Sequence, residues 1–225
     1  RDLMLFYSAK QQKMITLKEY RDAMPEDQEE IYYAAGSSAD KLDKLPQAEM
    51  VRKHDYDILY LTADIDEFVV TQLAEQDGKK FRSITAGDLN LSSDEEKKEA
   101  EEKSTANRAM FDAMKEALDG KVKDVRVSSR LVSNPVCLTS DGNLSIEMER
   151  VLNAVPNGQG HVNAEKILEI NASHPIFDTL CKLYQENPDQ LKQYTSLLYN
   201  QALLIAELPL EDPARYTQLV CSLMV

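Results

Sequence analysis

Apolar residues follow two different patterns along the chain. Toward the start they come in short dense runs, Leu3-Met4-Leu5-Phe6-Tyr7, Ile31-Tyr32-Tyr33-Ala34-Ala35 and Ile58-Leu59-Tyr60-Leu61. Runs this short, rich in aromatic and branched types and flanked by breakers, predict buried strands. Phe81-Arg82-Ser83-Ile84-Thr85 reads as a fourth strand. Between them, residues 38–53 and 64–76 predict helices, the second stopped by Gly78. Strands alternating with helices predict a small α/β layer domain over residues 1–91.

Residues 92–103 are the most polar stretch, Ser-Ser-Asp-Glu-Glu-Lys-Lys-Glu-Ala-Glu-Glu-Lys. They predict a solvated linker or the exposed start of a helix, and so a domain boundary. A helix follows over 104–118, where Phe111, Met114 and Leu118 share a face. Strands are expected at 122–127, 135–139 and 166–170, and helices at 145–155 and 174–184. Asn157-Gly158-Gln159-Gly160 reads as a loop.

The closing segment is helical by pattern. Apolar positions from Asp189 onward include Leu191, Tyr194, Leu197, Leu198 and Leu204. Pro209 interrupts them. Asp212 then caps a last helix with Pro213 in its first turn. There Tyr216, Leu219, Val220, Leu223 and Met224 recur at i, i+3, i+4, i+7 and i+8, a single apolar stripe. The fold class expected is α+β or α/β: two small layer domains, 1–91 and 104–225, the second ending in helices that form a dimeric four-helix bundle.

Composition narrows the partners. With 43% hydrophobic and 29% charged residues the chain can bury a core. A net charge of −13 disfavours nucleic acid and anionic membrane surfaces alike. No apolar run reaches the ~18 residues of a membrane-spanning helix. Cys137, Cys181 and Cys221 are few, odd in number and widely spaced, which fits a reducing, cytoplasmic compartment. No signal peptide is expected, and the start at Arg1 suggests a piece of a longer protein.

Catalytic signatures are missing. His54, His161 and His174 have no metal-ligand spacing. Asp77-Gly78-Lys79-Lys80 lacks the first glycine and the final hydroxyl residue of a phosphate loop. Asp64, Asp66 and Glu67 cluster at a helix start, where favourable interaction with the helix dipole accounts for them. A divalent-ion-dependent α/β enzyme built on these three carboxylates stands as an alternative. Cys137 sits among apolar neighbours that lower thiol reactivity.

What remains are surfaces. Burying an exposed Leu or Met is worth ~1.5–3 kcal/mol, so the terminal stripe favours pairing with a second copy, with internal packing as the competing reading. Leu144, Met148, Val151, Leu152 and Val155 line one face of the helix before the glycine-rich loop. On pattern alone, core packing outweighs partner binding there.

Ordered motifs then point to a family. Ile31-Tyr32-Tyr33-Ala34-Ala35-Gly36, Asp57-Ile58-Leu59-Tyr60-Leu61-Thr62, Asp64-Ile65-Asp66-Glu67-Phe68 and Asp77-Gly78-Lys79 come first. Val127-Ser128-Ser129-Arg130-Leu131-Val132, Pro135-Val136-Cys137-Leu138, Met148-Glu149-Arg150, Leu168-Glu169-Ile170-Asn171, His174-Pro175-Ile176 and Leu210-Glu211-Asp212-Pro213 follow. In this order they closely resemble the carboxy-terminal half of the heat shock protein 90 chaperones of bacterial type.

The resemblance implies that residues 1–91 form the small lobe of a middle domain. Residues 92–103 would be a charged linker or helix start, and 104–225 a dimerisation domain. It implies a stress-response protein-folding chaperone whose ATP and magnesium bind an amino-terminal domain outside this chain. The chain itself would hold no cofactor and catalyse nothing. The implied partners are a second copy, through Leu197, Leu198, Tyr216, Leu219, Val220, Leu223 and Met224, and partly folded client proteins, through Glu67, Phe68, Met148, Leu152 and Val155. Pro156 stands where relatives can continue with bulky apolar residues, which implies a shorter client face. A dimerising adaptor that binds no client is the remaining alternative.

Overall fold

The computed structural model describes residues 3–142, 144–154 and 162–224. The chain divides into two compact units, one of Arg1–Leu91 with Ser140–Ala164 and one of Ser92–Thr139 with Glu165–Val225. Each unit is thus assembled from separated stretches of chain. Residues 140–164 group with the first unit, an arrangement that the expected contiguous spans did not contain.

The first unit is built on a six-stranded sheet in the order β2-β1-β4-β3-β6-β5. β1 (Leu5–Ser8) and β2 (Lys13–Thr16) form an antiparallel hairpin, with Leu5 opposite Thr16. β3 (Glu30–Ala35) runs parallel to both β4 (Leu59–Leu61) and β6 (Lys79–Ser83). A minimal strand, β5 (Glu75–Gln76), turns back into β6 through Asp77 and Gly78, at φ of 49° and 75°. This is a two-residue hairpin turn, and the positive φ explains the glycine. The helix expected over 64–76 accordingly ends earlier, as α4 (Asp66–Leu73).

Thr16 ends β2 and caps α1 (Leu17–Ala23): its side chain accepts the Glu19 N–H while Glu19 reaches back to the Thr16 N–H. The helix expected over 38–53 is instead two, α2 (Ala39–Leu42) and α3 (Ala48–Lys53), because Pro46 lies between and cannot continue a helix interior. Phe6, Ile15, Leu17, Tyr20, Ile31, Tyr33, Leu59, Leu61 and Val70 form one core cluster. Tyr32 and Ala34, on the alternate face of β3, are buried too. A strand covered on both sides reads as a continuous apolar run, which is how β3 appears in the sequence.

The second unit begins with α5 (Asp94–Ala106), which buries no residue. Ser93 and Glu96 close a capping box at its start, and three acidic residues occupy its first turn. The polar stretch is therefore an exposed helix, one of the two forms expected for it. α6 (Arg108–Ala117) buries Met110, Phe111 and Met114. A three-stranded sheet in the order β7-β9-β8 comprises β7 (Asp124–Val127), β8 (Val136–Asp141) and β9 (Glu165–Ile170), with β7 and β9 parallel.

Three helices complete this unit: α8 (Ile176–Glu186), α9 (Pro188–Ile205) and α10 (Pro213–Ser222). α9 packs against α6, α8 and α10. Both proline-started helices are capped: Asp212, as its sequence suggests, accepts the Arg215 N–H, and Asn187 accepts the Gln190 N–H, so α9 starts at Pro188, one residue before the expected Asp189. The result is a mixed α+β fold with two sheets. Among the described residues no helix is long and apolar enough to cross a membrane.

Candidate functional site

The amphipathic helix α7 (Ile146–Ala154) belongs to the first unit. Its first turn buries Ile146 and Met148. Leu152, one turn after Met148 along the same side of the helix, is 39% exposed. Ser145, immediately before the helix, serves two roles through one oxygen. Oγ accepts the Met148 N–H at 2.9 Å, satisfying a backbone donor of the first turn, and donates its own proton to Glu67 Oε2 at 2.7 Å.

Glu67 lies in the first turn of α4 and is only 4% exposed. Burial pushes its carboxyl up to about 7; the nearby Glu147 charge adds to this, while hydrogen bonds from Ser145 and Tyr33 oppose it. The Tyr33 phenol is itself pushed upward by burial and by the Glu67 charge. A second tether lies further along: the Arg150 guanidinium binds Glu147 in its own helix and reaches Asp64 Oδ1 at 3.2 Å. Beyond it, Asn153 Nδ2 donates to the Val162 carbonyl at 2.8 Å and Oδ1 accepts the Val162 N–H at 3.0 Å. Glu149 Oε2 accepts the Ala164 N–H at 2.7 Å.

The residues expected to contact clients are therefore placed unequally. Leu152 is exposed, Phe68 is half-buried, and Met148 and Glu67 are inside. Val155, Pro156 and the 157–160 loop lie outside the described residues. The exposed apolar surface of this region also includes Ile65, 63% exposed, which sequence reasoning did not select.

The three carboxylates weighed as a metal site part company. Asp64 pairs with Arg150, Asp66 Oδ2 accepts the Ala63 N–H at 3.1 Å, and Glu67 turns to Ser145. Among the described residues no group of three or more His, Cys, Asp or Glu is placed to hold a metal ion.

The terminal stripe divides in the same way. In the single chain Leu197, Leu198 and Leu219 are buried, and Tyr216 and Val220 are partly so. Leu223 is 44% and Met224 75% exposed. Leu204, late in α9 and 49% exposed, joins them as an apolar residue left facing outward. Its seven-residue spacing from Leu197 was visible in the sequence, but spacing alone does not separate the exposed Leu204 from the buried Leu197. Cys137, Cys181 and Cys221 are free thiols.

The family model described as Hsp90 protein matches residues 1–225, the whole chain. Among curated relatives, "Chaperone protein HtpG" of Bacillus subtilis (strain 168) is 50% identical over 225 residues, covering 100% of this chain and 36% of the relative. The protein of that name from Oceanobacillus iheyensis is 51% identical with the same two coverages. That of Clostridium acetobutylicum is 51% identical over 223 residues, 99% of this chain and 35% of the relative. The chain thus spans about a third of the length of the relatives it matches. The matched span includes the positions of every motif quoted above, and the chain belongs to the Hsp90 protein family.

Proposed function

We propose that this chain supplies self-association and part of the client-binding surface to an ATP-dependent chaperone of the reducing cytoplasm, and that it performs no catalysis itself. The observation that carries the first half is the outward apolar set Leu204, Leu223 and Met224 on α9 and after α10, left uncovered once Leu197, Leu198 and Leu219 have packed inside one chain. Exposed Leu and Met side chains of this kind favour association, each contributing ~1.5–3 kcal/mol on full burial. A second copy packing its own α9 and α10 against this surface would complete a four-helix bundle. Two copies joined in this way raise the effective concentration of their binding surfaces for one extended polypeptide.

Leu152, Ile65 and the partly exposed Phe68 support the second half, as apolar residues that a partly folded polypeptide can cover. Nucleotide and magnesium chemistry would belong to the portions of the relatives that this chain does not span. The net charge of −13 leaves nucleic acid and anionic membranes as poor partners.

Sedimentation velocity of the 225-residue chain tests the association directly. The wild type is expected to sediment as a dimer at micromolar concentration, and Leu223→Asp with Met224→Asp as a folded monomer. An equally stable dimer in that variant would remove these residues from the interface. A dimer that fails to bind unfolded polypeptide would leave the adaptor reading in place of the chaperone one.

A further inference from the structure

Resting on the client-binding reading above, we infer that Glu67 acts at second hand, as the buried anchor that positions α7 and its exposed Leu152 through Ser145. At 4% exposure Glu67 has almost no surface to offer a partner. Its carboxylate instead ends on two hydroxyls, Ser145 at 2.7 Å and Tyr33. Ser145 is buried as well, and the oxygen that donates to Glu67 also accepts the Met148 N–H. The chain of contacts therefore runs from β3 through Tyr33, to α4 through Glu67, and into the first turn of α7. A buried carboxyl is costly to keep unless every lone pair is used, so its presence in an apolar setting needs a contact that justifies it. Docking the amphipathic helix is the contact the geometry provides. Arg150 with Asp64 is a second, solvent-exposed tether one helical turn on, weaker because exposed pairs contribute little. Together they fix the face of α7 from which Leu152 projects. A supporting group set by hydrogen bonds of this sort makes a binding face more precise than packing alone.

If Glu67 works through α7, then Ser145, which is also shielded from partners, carries the same function. The test uses the full 225-residue chain, the permanently unfolded polypeptide reduced, carboxymethylated lactalbumin as probe, and hydrogen exchange of the amides of residues 146–154. Glu67→Ala and Ser145→Ala are each expected to weaken probe binding roughly five- to tenfold and to speed exchange across α7. The double variant is expected to fall short of the product of the two single effects, since both remove the Ser145–Glu67 contact. Glu67→Gln and Ser145→Thr preserve acceptor and hydroxyl and are expected to stay within about twofold of wild type. Circular dichroism confirms that each variant is folded. Glu67→Ala weakening the probe while Ser145→Ala leaves both binding and α7 exchange unchanged would overturn the inference and return Glu67 to a direct role. Leu152→Asp separates the two levels of the argument. It should weaken binding without altering α7 exchange; unchanged binding in that variant would sink the client-binding reading, whereas unchanged exchange in Glu67→Ala sinks the anchor.

Discussion

Among the described residues two glutamates are buried, and their surroundings differ in kind. Glu169, on β9 and 2% exposed, is gripped by cations: Arg126 Nη2 donates to it at 2.7 Å and Arg130 Nε lies 3.1 Å away. Ser128 and Thr139 add hydroxyl donors at 2.8 and 3.3 Å. Burial works against its charge, yet Arg130, Arg126 and these hydrogen bonds together hold its carboxyl below the ordinary value. Glu67 has hydroxyls and no cation, and burial wins, lifting it to about 7. The first arrangement ties residues of β7, β8 and β9 into one register with a permanent charge. The second joins a helix to its unit by a group whose charge is only marginally tolerated. One is a fixture of the fold; the other is a joint that modest perturbation can loosen.

The largest effect expected from breaking this comparison is that of Glu169→Ala. It removes the carboxylate that Arg130, whose side chain is 4% exposed, faces at 3.1 Å, breaking a buried ion pair, and should cost about 3–5 kcal/mol in urea unfolding. Glu67→Ala should cost about 1–3 kcal/mol, the penalty of leaving Ser145 and Tyr33 without their acceptor. A loss as large as that of Glu169→Ala would erase the distinction between fixture and joint.

Opposite responses to pH sharpen the contrast. The Glu67 carboxyl is raised from the ordinary 4.5 to about 7, so the native state holds its proton more tightly than the unfolded chain. Its contribution is fully favourable below about 4.5 and is lost as pH rises through about 7, an effect on the order of 1–3 kcal/mol. Glu67→Gln should therefore gain stability relative to wild type between pH 5 and 8. Glu169, held low, stabilises above the ordinary carboxylate value and gives that up as pH falls below it. Unfolding midpoints of wild type, Glu67→Gln and Glu169→Gln from about pH 2 to about pH 8 check both signs; parallel profiles for the two variants would contradict them. The smallest effect is expected for Arg126→Ala, about 1 kcal/mol or less, because that side chain is 41% exposed and Arg130 still balances the carboxylate.

Sequence pattern made some of this legible and left the rest hidden for identifiable reasons. β3 and β4 stand out because strands covered on both faces are uninterrupted apolar runs. α10 stands out because its stripe, caps and starting proline agree. β2 and α1 went unseen, although Thr16 and Glu19 spell a capping box, because four- and seven-residue elements are too short for a periodicity to register. The spacing of Tyr216, Leu219, Val220, Leu223 and Met224 identifies a face, but sorting Leu219 inside from Met224 outside requires knowing where α9 lies. Ser145 and Glu67 are 78 residues apart, so neither the hydrogen bond nor the burial of the carboxylate has any local signature.

The most direct test of the account is sedimentation velocity of fluorescently labelled, carboxymethylated lactalbumin mixed with the unlabelled chain, followed through the label. The account predicts that the label moves with a species carrying two copies of the chain, and that Leu152→Asp releases it while the dimer persists. A label that sediments alone at every concentration, or that travels with a single copy, would contradict the reading of this chain as a dimerising, client-binding part of a chaperone.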